Sequence, residues 1–434
     1  MRPLPVRLPK TWRRCARGWH EPSVQRKGDQ RGKSSGDCRQ SHCGVSACPL
    51  QSIDRAPTSV LPFSSYWQGA TIKARARQLR QLFGQVAIAI AALPCTACGE
   101  RPEASGATAS AKGLAALAEA QPRGATAVGW RVLDGLGVPA WLFYPAVLTE
   151  PATSLPVIQK TLPDGYSLAL RRRFGAVAAA TLVAAPGHAL PDAAMADGVH
   201  PLLVFAPGAG MGGRDYRLFV EALAAQGYAV ALLRPTGSPA ASDVRYSESA
   251  DEIGNALENL RKMAGLQEGK GRIEATTPVL IGHSLGGTAS VLAATRTGVC
   301  AINIDGDFGG ASVTSRPSGP VLYVIGDPSL DRASDVARRA EVWRTVSGRS
   351  GGRALALGIA GMRHFDIADA ANLPLDLIPP DRREGRFGNI GGANARRVMV
   401  DLVVQFAGYC QSSGGLPLSA ALRLPPEARS TFGH

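Results

Sequence analysis

From residue 128 onward, short apolar runs alternate with longer stretches in which apolar residues recur every three or four positions. The apolar runs predict strands and the periodic stretches predict helices. Eight strands are predicted, at residues 128–133, 140–144, 202–206, 228–233, 278–281, 300–304, 321–325 and 353–358. Five helices are predicted, at residues 216–226, 249–263, 285–296, 334–346 and 393–406.

These elements predict one α/β domain over residues 128–410, followed by a C-terminal tail at residues 411–434. Runs as apolar as LLVFAP and VLYVIG must be covered on both faces, which is typical of a mainly parallel sheet between two helix layers. We therefore expect a mainly parallel, eight-stranded sheet.

Residues 155–199 fit this alternation badly, because they offer one apolar helix-like stretch, FGAVAAATLVAA, behind Arg171, Arg172 and Arg173. As an insertion before a strand, this segment is a candidate for a small helical cap over a substrate entrance. The alternative is a packed surface helix with a solvated basic end.

The composition of the first hundred residues differs from that of the remainder. Residues 1–98 hold 16 Lys and Arg against 4 Asp and Glu, whereas residues 99–434 hold 32 against 30. Because phosphate binding needs cations clustered on the folded surface, the nearly neutral body argues against a nucleic-acid partner. Residues 1–70 lack periodicity and are predicted to be a disordered or non-native N-terminal extension, and residues 99–127 a linker.

Residues 71–98 have the pattern of a secretory signal peptide. Basic residues precede the apolar run LFGQVAIAIAAL, which is too short to span a membrane, and the small residues of PCTACGE follow it. The chain is therefore expected to be exported, periplasmic or secreted. The surroundings of Cys98 resemble a bacterial lipoprotein processing site, so membrane association through a lipid anchor at Cys98 is a further expectation. Cys300 and Cys410 either pair in such a compartment or remain two buried thiols.

The stretch VLIGHSLGGT carries the first candidate for chemistry. Ser284 lies within GHSLG, which satisfies G-x-S-x-G between a predicted strand and a predicted helix. The glycines permit a sharp turn that exposes the serine, and the backbone N–H of Leu285 can hydrogen-bond a developing oxyanion. Ser284 is therefore the predicted nucleophile. The alternative is a glycine-rich turn with an N-capping serine.

A serine nucleophile needs a base to take its proton and an acid to orient that base. His364 follows the last predicted strand, in GIAGMRHFDIAD, and is the predicted base, whereas His283 should pack beneath the turn. Asp305 ends the strand CAINID and Asp331 follows the next strand, and the residues alone leave the choice of acid open. Asp366 is too near the base in sequence and should pair locally.

A second oxyanion donor is expected after an earlier strand. LLVFAPGAGMGGRDY supplies a candidate, with the N–H of Ala209 as the donor and Gly208 providing clearance. The alternative is a plain glycine-rich loop. The loop argues against a dinucleotide site, because G-x-G-x-x-G is incomplete and no acidic residue ends the next strand. We expect no metal and no organic cofactor.

The segments PLLVFAPGAGMGGRDYRLFVEALAAQGYAVALLRP, VLIGHSLGGTA, INIDGDFGG and MRHFDIAD together resemble the α/β-hydrolase branch of platelet-activating-factor acetylhydrolases and related bacterial predicted dienelactone hydrolases or lipases. The resemblance runs from about residue 128 to residue 408. It implies Ser284 as the nucleophile, His364 as the base, Asp305 as the acid in preference to Asp331, and Leu285 and Ala209 as oxyanion donors. The family usually has His-Gly where this chain has Pro207-Gly208.

The combined expectation is a serine carboxylic ester hydrolase that acts on a short-chain acyl ester, with a phospholipid-like acetyl ester as one candidate. A lipase or polyester hydrolase is the first alternative. A non-catalytic binding protein with the same fold is the second, because fold does not imply function.

Overall fold

The computed structural model describes residues 107–120, 126–147, 166–234, 242–263, 267–268, 270–350, 352–412 and 416–432. The predictions for residues 1–70 and 71–98, including the lipid anchor at Cys98, lie outside the described residues and stay predictions.

A single sheet of eleven strands runs through the domain. The strands are β1 (Ala127–Leu133), β2 (Ala140–Ala146), β3 (Leu190–Pro191), β4 (Gly198–Ala206), β5 (Ala229–Leu233), β6 (Gln267–Glu268), β7 (Gly271–His283), β8 (Cys300–Ile304), β9 (Val321–Ile325), β10 (Ala354–Ile359) and β11 (Ala428–Ser430). Their order is β11-β10-β9-β8-β7-β4-β5-β2-β1-β3, with β6 paired to β7. The six strands β10, β9, β8, β7, β4 and β5 are mutually parallel, so their carboxyl ends share one edge.

The predicted mainly parallel sheet is confirmed, and each of the eight predicted strands is present. The three additional strands, β3, β6 and β11, have only two or three residues each. The segment predicted as a C-terminal tail also belongs to the domain, because β11 pairs antiparallel with β10.

Eleven α-helices are described in the part of the chain that the structure covers. They are α1 (Ala111–Glu119), α2 (Tyr166–Phe174), α3 (Ala176–Ala184), α4 (Arg217–Ala225), α5 (Ser242–Met263), α6 (Leu285–Thr297), α7 (Ala311–Thr314), α8 (Ala333–Arg349), α9 (Pro380–Arg383), α10 (Gly392–Gln411) and α11 (Leu418–Ala421). All five predicted helices are among them, as α4, α5, α6, α8 and α10. In the described part of the chain, no helix combines the length and the hydrophobicity needed to cross a membrane.

The two faces of the sheet bury separate hydrophobic layers, because successive side chains of a strand point to opposite faces. On β4, Leu203 and Phe205 pack in the layer that also contains residues of α4 and α10. Leu202 and Val204 pack on the other face, in the layer that contains residues of α5, α6 and α8. The helices therefore cover both sides of the strands that carry the candidate site.

A third hydrophobic cluster packs α1, α2 and α3 together, and we call this group of helices the cap. Leu117, Phe174 and Leu182 are buried in it together with residues that follow β10. The predicted insertion thus contains two helices rather than one, separated by Gly175 at φ 88°. The prediction of a linker over residues 99–127 needs correction too, because α1 lies within it and packs into this cluster.

Cys300 at the start of β8 and Cys410 near the end of α10 are joined by a disulfide, with their Cα atoms 6.4 Å apart. Of the two alternatives, paired cysteines and two buried thiols, the structure has the pair. The bond ties the helix layer to the strand that leads to Asp305.

Candidate active site

Ser284 occupies the sharp turn between β7 and α6, with φ 55° and ψ −125°. Few residues with a side chain adopt a positive φ, and such strain concentrates at functional sites. A Cβ atom at Gly282 would lie 2.2 Å from the backbone of Gly286, and one at Gly286 would lie 2.2 Å from the carbonyl oxygen of Ala206. The glycines of the motif are therefore required by close backbone contacts.

The three predicted residues Ser284, Asp305 and His364 follow β7, β8 and β10, at the edge where the parallel strands have their carboxyl ends. The N–H of Ser284 donates to the carbonyl of Ile304 over 2.8 Å, which places the turn beside Asp305. Nδ1 of His364 lies 2.6 Å from Oδ2 of Asp305. An ionised carboxylate only accepts hydrogen bonds, so the imidazole donates from Nδ1 and its Nε2 is left as an acceptor.

Asp305 is buried, with its side chain 5% exposed, and itself has a positive φ of 49°. Its second oxygen, Oδ1, accepts from the N–H of Gly326 at 3.2 Å and lies 3.5 Å from Nη1 of Arg339. Burial acts to raise the pKa of Asp305, but the hydrogen bond from His364 and the charge of Arg339 outweigh it and hold the pKa below its usual value. Asp305 is therefore held as a carboxylate.

Asp331, the alternative acid, lies on the other side of the same arginine. Its Oδ2 accepts from Nη1 of Arg339 at 3.1 Å, and its Oδ1 lies 4.0 Å from Nη1 of Arg363. Burial raises the pKa of Asp331 despite these cations. The structure thus places Asp305 against the imidazole of His364 and Asp331 against two guanidinium groups.

Asp366 pairs locally, as predicted. One of its oxygens, Oδ2, accepts from the backbone N–H groups of Arg363 at 2.7 Å and Gly388 at 2.8 Å. Burial raises the pKa of Asp366 to about 6. The carboxylate of Asp366 thus joins Arg363, the residue before His364, to Gly388.

His283 is fully buried beneath the turn, where it was predicted to pack. Its Nε2 lies 2.7 Å from the carbonyl oxygen of His364, so Nε2 carries the proton and donates. Nδ1 then accepts from the hydroxyl of Tyr216 at 2.7 Å. Burial, followed by the nearby His364, lowers the pKa of His283 to about 3, so this imidazole stays neutral and braces the loop of His364.

The predicted oxyanion loop lies directly against the serine. A Cβ atom at Gly208 would be 3.2 Å from Cβ of Ser284, which explains the need for glycine. The N–H of Gly208 donates to the hydroxyl of Tyr216 at 3.2 Å. Among hydrogen bonds between described residues, the N–H groups of Ala209 and Leu285 have no acceptor. Both groups remain available to an oxyanion.

Three contributors to this arrangement were not predicted from the sequence. Tyr216 links His283 to Gly208, Arg339 contacts Asp305, and Arg173 donates from Nη2 to the carbonyls of Ala209 at 3.3 Å and Gly210 at 2.9 Å. None belongs to a short motif, and each comes from a helix or helix start that packing brings to the sheet edge. In the part of the chain that the structure describes, no three His, Cys, Asp or Glu side chains are grouped to hold a metal.

Comparison with known proteins agrees with this fold. The family model of the alpha/beta hydrolase family matches residues 203–426. No curated protein matches the chain in sequence. A ferulic acid esterase from Streptomyces cinnamoneus is similar in structure, with 21% sequence identity and a TM-score of 0.53 over 71% of this chain and 98% of that protein. The likeness at this identity shows a shared fold, and the family model spans more than half of the residues, so the chain belongs to the alpha/beta hydrolase family.

Proposed function

We propose that the protein is a serine hydrolase of carboxylic esters, in which Ser284 is the nucleophile, His364 the base and Asp305 the acid. The observation that carries the proposal is the hydrogen bond of 2.6 Å between His364 and the buried Asp305, beside a serine held at positive φ. A base oriented by a buried carboxylate, beside a strained, half-buried serine, is the arrangement that acyl transfer requires.

In the proposed reaction, Nε2 of His364 takes the hydroxyl proton as Oγ of Ser284 bonds to the ester carbonyl carbon. The carbonyl oxygen becomes an oxyanion that accepts from the N–H groups of Leu285 and Ala209. The C–O bond to the alcohol then breaks, and His364 returns the proton to the departing alkoxide. A water molecule, deprotonated by the same imidazole, attacks the acyl-serine, and the products are a carboxylic acid and the free serine.

The expected substrate is a short-chain acyl ester, and a phospholipid-like acetyl ester is one candidate. The resemblance of the motifs around Ser284, Asp305 and His364 supports this choice, and a similarly folded protein is called a ferulic acid esterase. The proposal includes export, because the disulfide between Cys300 and Cys410 is of a kind that persists in oxidising compartments.

A series of p-nitrophenyl esters, from acetate to palmitate, tests the proposal. We expect hydrolysis that is strongest on short chains and absent in Ser284→Ala. Ser334→Ala is the matched control, because Ser334 is exposed on α8. Activity that rises on long, interfacial substrates would favour the lipase alternative. Equal activity of Ser284→Ala and wild type would overturn the proposed nucleophile, and inactivity on all esters would favour a binding role.

A further inference from the structure

Six arginines lie together on the cap and on the chain that follows His364. We call them the cap arginine cluster: Arg171, Arg172 and Arg173 in the last turn of α2, and Arg382, Arg383 and Arg386 in and after α9. Arg382 donates from Nη1 to the carbonyl of Arg171, and Arg386 donates from Nη1 to the carbonyl of Arg173 at 3.4 Å. The two segments that carry the arginines are therefore adjacent.

This patch borders the candidate active site on two sides. Arg173 donates to the carbonyls of Ala209 and Gly210 in the oxyanion loop. The carbonyl of Arg386 accepts from the N–H of Phe365 at 3.0 Å, and Phe365 directly follows His364. The cap arginine cluster thus touches both the loop that would bind the oxyanion and the loop that carries the base.

The positive charge of this patch is largely uncompensated. Residues 171–173 and 380–386 hold six arginines against two acids, Asp381 and Glu384, a net of +4, whereas residues 99–434 as a whole carry only +2. With described residues, the cluster makes one ion pair, from Arg382 to the exposed carboxylate of Asp381 at 3.8 Å. The rest of the body therefore has a net negative charge, and its excess of cations is concentrated at this site.

Capping of α2 accounts for only part of this charge. The C-terminal end of a helix is equivalent to about −0.5 of an elementary charge, well below the excess of this patch. The two capping bonds also use one donor each of guanidinium groups that have five. Nη1 of Arg173 is buried and has no hydrogen-bond partner among the described residues. A buried donor without a partner is costly, so Arg173 would be stabilised by an acceptor that a ligand brings.

We propose that the cap arginine cluster selects esters that carry an anionic group, a carboxylate or a phosphate, near the scissile bond. Arginine is suited to this task, because its planar fork matches both groups with paired hydrogen bonds. In this arrangement the anionic group contacts the cluster while the ester carbonyl lies between Ser284 and the oxyanion loop. The proposal rests on the proposed function of the same site.

Matched pairs of esters test the selection. 4-Nitrophenyl hemisuccinate against 4-nitrophenyl butyrate places a carboxylate on the acyl side, and 4-acetoxybenzoate against its methyl ester places one on the alcohol side. 4-Acetoxyphenyl phosphate supplies the phosphate. We expect at least one anionic ester to exceed its neutral partner in kcat/KM by about tenfold, the value of one charge-assisted hydrogen bond. The preference should fall between about 0.01 M and 1 M salt, as the screening length drops from about 30 Å to about 3 Å.

Substitution locates the effect. In the double variant Arg173→Gln/Arg386→Gln, which removes the two arginines that contact the loops of the site, the ratio of anionic to neutral kcat/KM should fall by about tenfold. Arg272→Gln should leave this ratio unchanged, because Arg272 lies near the start of β7, twelve residues before Ser284.

An absent preference, or one that survives the double substitution, would overturn the proposal and leave the arginines as helix-capping groups. Binding to phosphatidylglycerol vesicles without any preference among soluble esters would overturn it as well, in favour of a surface that docks on anionic lipid. Failure of the proposed function itself would look different, since neutral esters would then remain intact and Ser284 would not react with a fluorophosphonate.

Discussion

Nη1 of Arg339 lies 3.5 Å from Oδ1 of Asp305, while the other oxygen of that carboxylate faces Nδ1 of His364 at 2.6 Å. The same guanidinium contacts Asp307 at 2.9 Å and Asp331 at 3.1 Å. One arginine on α8 thus contacts three carboxylates at the end of the sheet. It also fixes the side of Asp305 that His364 does not touch.

Removal of this arginine should weaken catalysis through Asp305. Arg339→Gln should lower kcat/KM by about tenfold, as expected for loss of a charge-assisted contact. The charge of Arg339 helps to hold down the pKa of Asp305, so the acid limb of the pH profile of kcat/KM should move to higher pH. Arg339→Lys should restore part of the lost activity and move the acid limb part of the way back towards its wild-type position. Arg338→Gln is the control, because Arg338 pairs with Asp307 at 3.1 Å. An unmoved acid limb in Arg339→Gln would show that the contact serves packing alone.

The choice between the two candidate acids can be tested directly. Asp305→Asn should lower kcat/KM by roughly 10²–10⁴-fold, since the amide cannot stabilise an imidazolium or fix its tautomer. Asp331→Asn should lower it by less than about tenfold, an indirect effect through Arg339. Steady-state kinetics on p-nitrophenyl acetate compares the two. The reverse order of effects would identify Asp331 as the acid.

The backbone of Ser284 should carry a measurable strain. Ser284→Gly and Ser284→Ala both lack the hydroxyl, but alanine must keep a Cβ atom at φ 55°. The free energy of unfolding of Ser284→Gly should therefore exceed that of Ser284→Ala by about 1 kcal/mol. This difference is the backbone strain that glycine relieves, less the extra entropy that glycine gives the unfolded chain. Denaturant unfolding of the two variants measures the difference. A glycine variant no more stable than the alanine variant would contradict the strain.

Asp369 should make stability depend on pH near neutrality. Its side chain is buried, with Oδ1 accepting from the N–H of Leu218 at 3.0 Å and Oδ2 3.9 Å from Nε of Arg217. Burial raises its pKa to about 7 although Arg217 opposes the shift. The folded chain therefore binds this proton more tightly than the unfolded chain. The contribution of Asp369 is fully present below pH 3.8, the usual pKa of the group, and declines as the pH rises towards about 7.

Asp369→Asn keeps an acceptor for Leu218 without the titration. The difference in the free energy of unfolding, wild type minus Asp369→Asn, should fall between about pH 4 and pH 7. Above about pH 7 this difference should stay level. Asp381→Asn, at an exposed position, should show no such trend. A constant difference between wild type and Asp369→Asn across this range would contradict a raised pKa.

The main strands and helices could be predicted because each carries its own apolar pattern. The strands β3, β6 and β11 could not, since two or three residues contain no period and their pairing depends on neighbours distant in sequence. In the cap, YSLALRRRF is too polar to show a helical face, and α2 forms by packing Leu170 and Phe174 into the cap cluster. The short α1 was predicted to be part of a linker because the residues around it, 101–126, are rich in Ala, Gly, Thr and Ser.

The candidate site likewise contains residues that could be predicted from the sequence and contacts that could not. Ser284 and His364 were predictable because a motif or the chain order places them at strand ends. The contacts of Arg339 and Arg173 were not predictable, because the sequence does not show which face of α8 approaches the end of β8, or which turn of α2 meets the oxyanion loop.

The mass of the intact protein after exposure to a fluorophosphonate probe tests most directly whether Ser284 is an activated nucleophile. Only a serine activated by a base reacts with such a probe, so we expect one adduct, on Ser284. The adduct should be absent in Ser284→Ala and should form far more slowly in His364→Ala. An unlabelled wild-type protein, or a label that persists in folded Ser284→Ala, would contradict the proposed role of Ser284.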